Sequence, residues 1–252
     1  METFTYYPGC TLRTKAKELD TYARAAAEVL GISLVEPENW QCCGGAYTTA
    51  TNEVSTKLSA VRTLMAGKET KGLVTVCSAC HNVIKQTNYD IARNEAMAVK
   101  VQRYLGLEEA YKGETAVYHY LELLRDVIGF DKLKEKVVNP FKGKKIAAYY
   151  GCLLLRPSKA LAMDNPENPV IMEDFIRAIG GTPVIYAQRN ECCGGYITME
   201  DKAQAAKRSG AVMASAEEMG ADMIITACPL CLYNLKKNSG SDMPVYYFTE
   251  LL

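Results

Sequence analysis

The vicinal pair Cys42-Cys43 followed by Gly44-Gly45, and its echo Cys192-Cys193-Gly194-Gly195 150 positions later, constrain this chain more than any other feature. Each pair has a lone cysteine upstream, Cys10 or Cys152, and a Cys-x-x-Cys downstream, Cys77/Cys80 or Cys228/Cys231. The intervals correspond: 31 and 33 residues separate the three groups in the first half, 39 and 34 in the second. All ten cysteines belong to the pattern, so the chain reads as an internal duplication.

The segments between the cysteines repeat too. Phe4-Thr5-Tyr6-Tyr7 is a β-prone run ended by Pro8-Gly9 ahead of Cys10, which places Cys10 on a strand-to-helix loop, and Ile146 to Tyr150 run likewise into Gly151-Cys152. Leu19, Tyr22, Ala23, Ala26 and Leu30 recur at helical spacing, with Gly31 placed to cap that helix. Ser33-Leu34-Val35 reads as a second strand, Val54, Leu58, Val61 and Met65 as a helical stripe, and Gly72 to Val76 as a buried strand running into Cys77. A further helix is expected from Asn82, residues 88 to 113 are read as helical, and Ala116 to Tyr120 as a strand entering a helix at Leu121. In the second half, Asn168-Pro169 has the form of a helix cap with proline at the first helical position, ahead of Ile171, Phe175 and Ile179. Pro183 to Ala187 and Asp222 to Ala227 supply its next two strands, and Val245 to Leu252 matches Val117 to Leu124.

Strand, helix, strand, helix, strand in each half predicts an α/β fold of two tandem pseudo-symmetric repeats, each a small, mainly parallel sheet with flanking helices. The basic linker from Pro140 to Lys145 divides a first repeat with its linker, residues 1–139, from a second, residues 140–252. Parallel strands point their C-terminal ends the same way. Cys10, Cys42, Cys43, Cys77 and Cys80 all follow predicted strands and therefore gather at one sheet edge, where open α/β folds bind ligands. Cys152, Cys192, Cys193, Cys228 and Cys231 do the same in the second half, and helix N-termini at such an edge favour thiolates.

Five thiolates per half narrow the chemistry. Zinc takes four ligands in a closed tetrahedron, leaving a fifth surplus, and adjacent cysteines fit one small ion poorly. An iron–sulfur cluster spreads several irons over a larger object and can use a vicinal pair on different irons. Thiol chemistry stays open as a third reading. The ferredoxin run C-x2-C-x2-C-x3-C is absent, so an iron–sulfur site here is not of the common cubane-binding type.

Composition agrees. Lys+Arg and Asp+Glu number 29 each, leaving no net field to steer the protein toward nucleic acid or an anionic membrane. At 252 residues and 48% hydrophobic it can bury an ample core without staples. The first residues lack the basic and apolar regions of a signal peptide, and no run reaches membrane-span length, so a cytoplasmic protein is expected. In that compartment ten cysteines point to metal ligation or redox chemistry rather than structural disulfides.

On these cysteines the sequence resembles the CCG-motif cysteine-rich family, and within it the B subunit of heterodisulfide reductase, whose pattern of one cysteine, CC and CxxC occurs twice. The resemblance spans nearly the whole chain. It implies two noncubane [4Fe-4S] clusters, the first held by Cys10, Cys42, Cys43, Cys77 and Cys80 and the second by Cys152, Cys192, Cys193, Cys228 and Cys231. It also implies a small-molecule disulfide split between the clusters, one sulfur captured at each. No GxGxxG fingerprint or further cluster motif is present, so electrons must come from another polypeptide. The resemblance implies a ferredoxin-like iron–sulfur partner of the C type feeding this chain, itself fed by a flavin-containing partner of the A type.

A few other residues invite a role. Arg13 and Arg156 lie three or four residues past the first cysteine of each half, where a guanidinium can hold a substrate carboxylate or sulfonate, or else simply start a solvated helix. His81, beside Cys80, is weighed as ligand or proton donor against a polar residue opening a helix. His119 sits opposite Tyr247 in the repeat and reads as packing; Trp40 reads as core or as a shield for the first cysteine set. The leading function is the disulfide-reducing component of a heterodisulfide-reductase-like complex. Its alternatives are an electron-relay component of a lactate- or glycolate-type hydroxy-acid oxidising complex and a non-catalytic zinc-stabilised interaction module.

Overall fold

The computed structural model describes residues 1–45 and 52–252. Among the described residues eight strands form two sheets of four, all parallel. The first contains β1 (Glu2–Tyr7), β2 (Ile32–Val35), β3 (Leu73–Thr75) and β4 (Val117–His119) in the order β2-β1-β3-β4. The second contains β5 (Lys145–Tyr149), β6 (Thr182–Val184), β7 (Met223–Thr226) and β8 (Val245–Tyr247) in the order β6-β5-β7-β8. The expected α/β architecture of two tandem repeats is what the chain adopts.

Strand alternation gives each sheet two different faces. Phe4, Tyr6 and Val74 of the first sheet with Val76 just past β3, and Ile146, Ala148 and Ile225 of the second with Tyr150 just past β5, all enter one common core. Tyr7 and Leu73 point the other way, into a cluster with Leu64, Cys43, Cys77 and Cys80. Ala147, Tyr149 and Ile224 likewise join Val212, Cys193, Cys228 and Cys231. Phe248 sits at the centre of the common core with ring contacts to Tyr120, Phe175 and Tyr247. Burying one such side chain stabilises by about 1.5–3 kcal/mol, so the joint between the repeats is a major part of the molecule's stability.

Helices cover both sheet faces, as an all-parallel sheet requires. The helix Lys17–Val29 lays Leu19, Ala23 and Ala27 on the common core, and the chain leaves it through Gly31 at φ +81°. The helix Glu53–Ala66 covers the opposite face with Ala60, Val61 and Leu64; the Asn52 side chain caps it by accepting from Ser55 N–H. Residues 88 to 113 hold the end of one helix, Ser78–Ile91, and a second, Glu95–Leu105, capped by Asn94. Both repeats close on the same device: Glu122 accepts from His119 N–H (2.7 Å) and Glu250 from Tyr247 N–H (2.5 Å).

Local details differ from expectation. Cys10 lies inside a short helix, Gly9–Thr14, rather than on a loop, because Pro8 has already taken helical dihedrals. The helix expected from Asn82 begins at Ser78, directly after Cys77. Asn168-Pro169 does not start the next helix. That helix is Ile171–Ala178, and its free N–H groups at Val170 and Ile171 go to Asp164 Oδ2, at 2.6 and 2.8 Å.

Candidate metal centres

In an open parallel sheet a ligand cleft forms where the strand order reverses, here between β1 and β3 and between β5 and β7. Cys10 follows β1 and Cys77 and Cys80 follow β3; Cys152 follows β5 and Cys228 and Cys231 follow β7. The vicinal pairs arrive on the loops after β2 and β6. Each quintet therefore stands at the C-terminal edge of its sheet, and all ten thiols are free.

Within the first set Cys10 Sγ lies 3.6 Å from Cys42 Sγ, and Cys43 Sγ 3.4 Å from Cys80 Sγ. In the second, Cys193 Sγ and Cys231 Sγ are 3.7 Å apart. Two thiolates on one tetrahedral metal, with bonds of about 2.3 Å, stand about 3.8 Å apart, so these pairs have the separation of ligands that share a metal atom. Among the described residues no three Cys, His, Asp or Glu side chains converge enough to hold one ion. Soft thiolates with no carboxylate among them suit iron–sulfur clusters.

The backbone is shaped to the sulfurs. Gly9, at φ +80°, lies against Cys80, and a Cβ there would come within 2.9 Å of its Sγ; the equivalent distance from Gly151 to Cys231 Sγ is 3.2 Å. Gly44 N–H points at Cys42 Sγ (3.5 Å) and Gly194 N–H at Cys192 Sγ (3.4 Å). These amides stabilise negative charge on sulfur. The loops that carry the vicinal pairs are tied down by tyrosines three residues ahead of each lone cysteine. Tyr7 Oη donates to Gln41 O (2.8 Å) and Tyr149 Oη to Glu191 O (2.7 Å). By sequence alone these tyrosines read as strand packing; their matched position in the two repeats is the signal that sets them apart.

Protonation follows the pairs. The hydrogen bond with Cys80, helped by Gly45 N–H, lowers Cys43 to about 7, and Cys80 is pushed up in return. In the second half the bond with Cys152, then Gly194 N–H and the Arg208 charge, lower Cys192 to about 6, while Cys152 rises. Cys42, the counterpart of Cys192, moves up instead, chiefly through burial. Cys77 is raised first by Cys228, and Cys228 is lowered by Cys231 and then by Cys77. The two quintets adjoin here, because Ser78, next to Cys77, bonds through its N–H (3.0 Å) and its hydroxyl (2.7 Å) to the carbonyl of Ala227, next to Cys228.

The other residues singled out in the sequence fall as follows. Arg13 Nε pairs with Glu36 (3.1 Å), which also accepts from Trp40 Nε1 (2.7 Å), and Trp40 packs edge-on against Tyr7. Arg156 donates to Asn190 O (2.9 Å) and so braces the long segment between Cys152 and Ile171. Asn82 reaches across from the first repeat to Leu153 O and Arg156 O, both at 2.7 Å. His81 is fully buried, bonded through Nδ1 to Thr75 Oγ1 (3.0 Å), and burial keeps it neutral. His119 accepts from Leu121 N–H through Nδ1. Tyr196, unremarked in the sequence, lines the second cleft with Cys152, Cys192, Cys228 and Cys231. Burial raises its phenol above the ordinary tyrosine range, and nearby cysteines of both sets add to the effect.

A family model described as a cysteine-rich CCG domain matches residues 4–85 and again 146–236. The chain is 30% identical over 233 residues to the 8-methylmenaquinol:fumarate reductase membrane anchor subunit of Wolinella succinogenes, covering 92% of this chain and 81% of that one. It is 24% identical over 268 residues to the B subunit of the ferredoxin/F(420)H(2)-dependent CoB-CoM heterodisulfide reductase of Methanosarcina acetivorans, covering 100% and 88%. It is 27% identical over 243 residues to a protein of Archaeoglobus profundus described as like the heterodisulfide reductase B subunit, covering 93% and 81%. Among solved structures, a hypothetical protein from Helicobacter pylori superposes with a TM-score of 0.75 at 12% identity. It covers 99% of this chain, which spans about half (48%) of that protein's length, and shows a shared fold. With the family pattern matched once in each repeat, the chain belongs to the CCG cysteine-rich domain family.

Proposed function

We propose that this chain is the iron–sulfur component of a heterodisulfide-reductase-like complex, reducing a small-molecule disulfide. The first repeat, residues 1–139, holds one noncubane [4Fe-4S] cluster on Cys10, Cys42, Cys43, Cys77 and Cys80. The second, residues 140–252, holds another on Cys152, Cys192, Cys193, Cys228 and Cys231. The observation that carries the reading is the pair of free cysteine quintets that adjoin where Ser78, beside Cys77, bonds to Ala227 O, beside Cys228. When bound, such clusters supply one-electron steps and iron atoms that can take a sulfur ligand. Cleaving one disulfide to two thiols takes two electrons and two protons, so two adjoining one-electron sites match the demand.

The chain's own residues hold and shield. Gly44 and Gly194 direct amides at sulfur, Tyr7 and Tyr149 fix the vicinal loops, and the helix N-termini at Ser78 and Pro229 face the same edge. Arg13 and Arg156, whose side chains are partly exposed, are assigned to the substrate's surroundings by their places near Cys10 and Cys152, whereas His81, wholly buried and bonded to Thr75 Oγ1, takes a structural role instead. Electrons come from a ferredoxin-like iron–sulfur partner of the C type, itself served by a flavin-containing partner of the A type, in the cytoplasm. Among the described residues no helix is long and apolar enough to cross a membrane.

The test is anaerobic purification with iron and sulfide analysis and reduction of disulfides by a low-potential donor. About eight irons per chain and substrate-dependent turnover are expected; a native protein filled with zinc or free of metal sinks the proposal. The 30% identical relative favours one further reading, because it is named as a subunit of an 8-methylmenaquinol:fumarate reductase. In that reading the same clusters relay electrons, as in a hydroxy-acid oxidising complex of the lactate or glycolate type. Full iron content with no disulfide turnover, and coupling to such an oxidation in the reconstituted complex, selects it.

A further inference from the structure

Val76 and Ala227 occupy the same place in the two repeats, each one residue ahead of a Cys-x-x-Cys, and the carbonyl of each is gripped from the opposite repeat. Tyr247 Oη lies 2.5 Å from Val76 O and 3.0 Å from Ala227 O. Ser78, between Cys77 and Cys80, sends its N–H (3.0 Å) and its hydroxyl (2.7 Å) to Ala227 O. The grip is dry: Tyr247, Ala227 and Val76 are wholly buried and Ser78 is 1% exposed. His119 is the counterpart of Tyr247 in the first repeat and makes no such bond. Its Nδ1 accepts from Leu121 N–H, so the ring proton sits on Nε2, which is buried without a hydrogen-bond partner of good geometry.

We propose that Tyr247 and Ser78 are positioning residues that set the separation of the two cysteine quintets, by locking the carbonyls of Val76 and Ala227 across the pseudo-twofold axis. The backbone held by these bonds continues directly into Cys77 and Cys228, the next residue in each repeat, one from each quintet. Apolar packing by the neighbouring Phe248 holds the repeats together but does not fix a sliding register. Hydrogen bonds in a water-free interior do, because a shift of about 1 Å breaks them and leaves buried groups unpaired. The functional consequence rests on the proposed two-cluster reading: sites that act on one substrate, or exchange electrons, depend steeply on their spacing. The geometric claim itself is independent of which metal is bound.

The test uses the full chain, freed of metal by anaerobic chelation, treated with dibromobimane and mapped by peptide mass spectrometry. The wild type should give a Cys77–Cys228 cross-link between repeats together with a Cys193–Cys231 cross-link within the second, the latter serving as the reference for an intact fold. In Tyr247→Phe and in Ser78→Ala the inter-repeat link should fall about fivefold relative to that reference, the size expected for one lost buried hydrogen bond. Tyr120→Phe, which removes a buried hydroxyl bonded instead to Ala23 O, should leave the ratio unchanged. Absence of the inter-repeat link in the wild type, an unaltered ratio in the Tyr247→Phe, Ser78→Ala double variant, or a parallel fall of both links would each overturn the assignment. Iron content, measured separately, reports on the cluster reading.

Discussion

Gly9 lies against Cys80 so closely that a methyl group at position 9 would stand 2.9 Å from the sulfur. The same position has φ +80°, a conformation that side chains with a Cβ rarely adopt. Gly9→Ala should therefore strain the backbone and push Cys80 away from Cys43 together. We expect the variant to lose metal from the first quintet while the second keeps its own, giving about half the wild-type iron by anaerobic analysis. Equal loss from both sets would show that the contact is not local.

Single ligand removals should divide the same way. Cys10→Ala and Cys152→Ala each lie in a different quintet, so each should leave the other site filled, and the two variants should have distinct electron paramagnetic resonance spectra. Identical spectra would contradict two separate centres.

Arg189 and Glu173 form a buried ion pair at 2.5 Å, with Glu173 0% and Arg189 5% exposed, and Tyr150 also donates to Glu173. Arg189 stands three residues before Cys192 and Tyr150 two before Cys152, so this cluster braces both loops of the second quintet. Arg189→Met would leave a carboxylate buried without its cation, at a cost of about 3–5 kcal/mol. Urea denaturation should show that loss, and Glu173→Gln with Arg189→Met should recover part of it, because the uncompensated charge is then gone.

Burial, with the Lys85 charge as a smaller contribution, lowers His119 from 6.5 to about 3, so the folded state holds the ring neutral where the unfolded chain would protonate it. The unfolded state then binds more protons below pH 6.5, and the stability tied to this residue is complete above that value and lost as pH falls toward 3. At pH 5 the loss is about 2 kcal/mol. His119→Asn, which keeps an acceptor for Leu121 N–H and does not titrate, should flatten the denaturation midpoint between about pH 7 and pH 5. A slope equal to the wild type would assign the acid sensitivity to other groups.

Periodicity and spacing carried the architecture because they are local statements about strands and helices: the buried run at Gly72 to Val76 and the turns before Cys10 and Cys152 are visible without any tertiary knowledge. The gathering of ten thiols follows from parallel topology alone. What escaped were contacts whose partners are distant in the chain. Asp164 caps a helix six residues on, across a loop whose path nothing local dictates, and it displaced Asn168-Pro169 from that role. The hydroxyls of Tyr7 and Tyr149 find carbonyls 34 and 42 residues away. A tyrosine's ring is legible as packing, but the destination of its proton depends on where a later loop returns. Glu173 has the sequence setting of an ordinary first-turn carboxylate, and only the folded chain closes Arg189 and Tyr150 over it.

Phe248 belongs to the last turn of the second repeat, yet it rests on Tyr120 of the first as well as on Phe175 of its own. Neither repeat thus owns a finished interior. A half-length ancestor built on this plan could have become a stable molecule only by docking with a twin of itself, and fusion of the two genes would then have made permanent a partnership that the side chains already demanded.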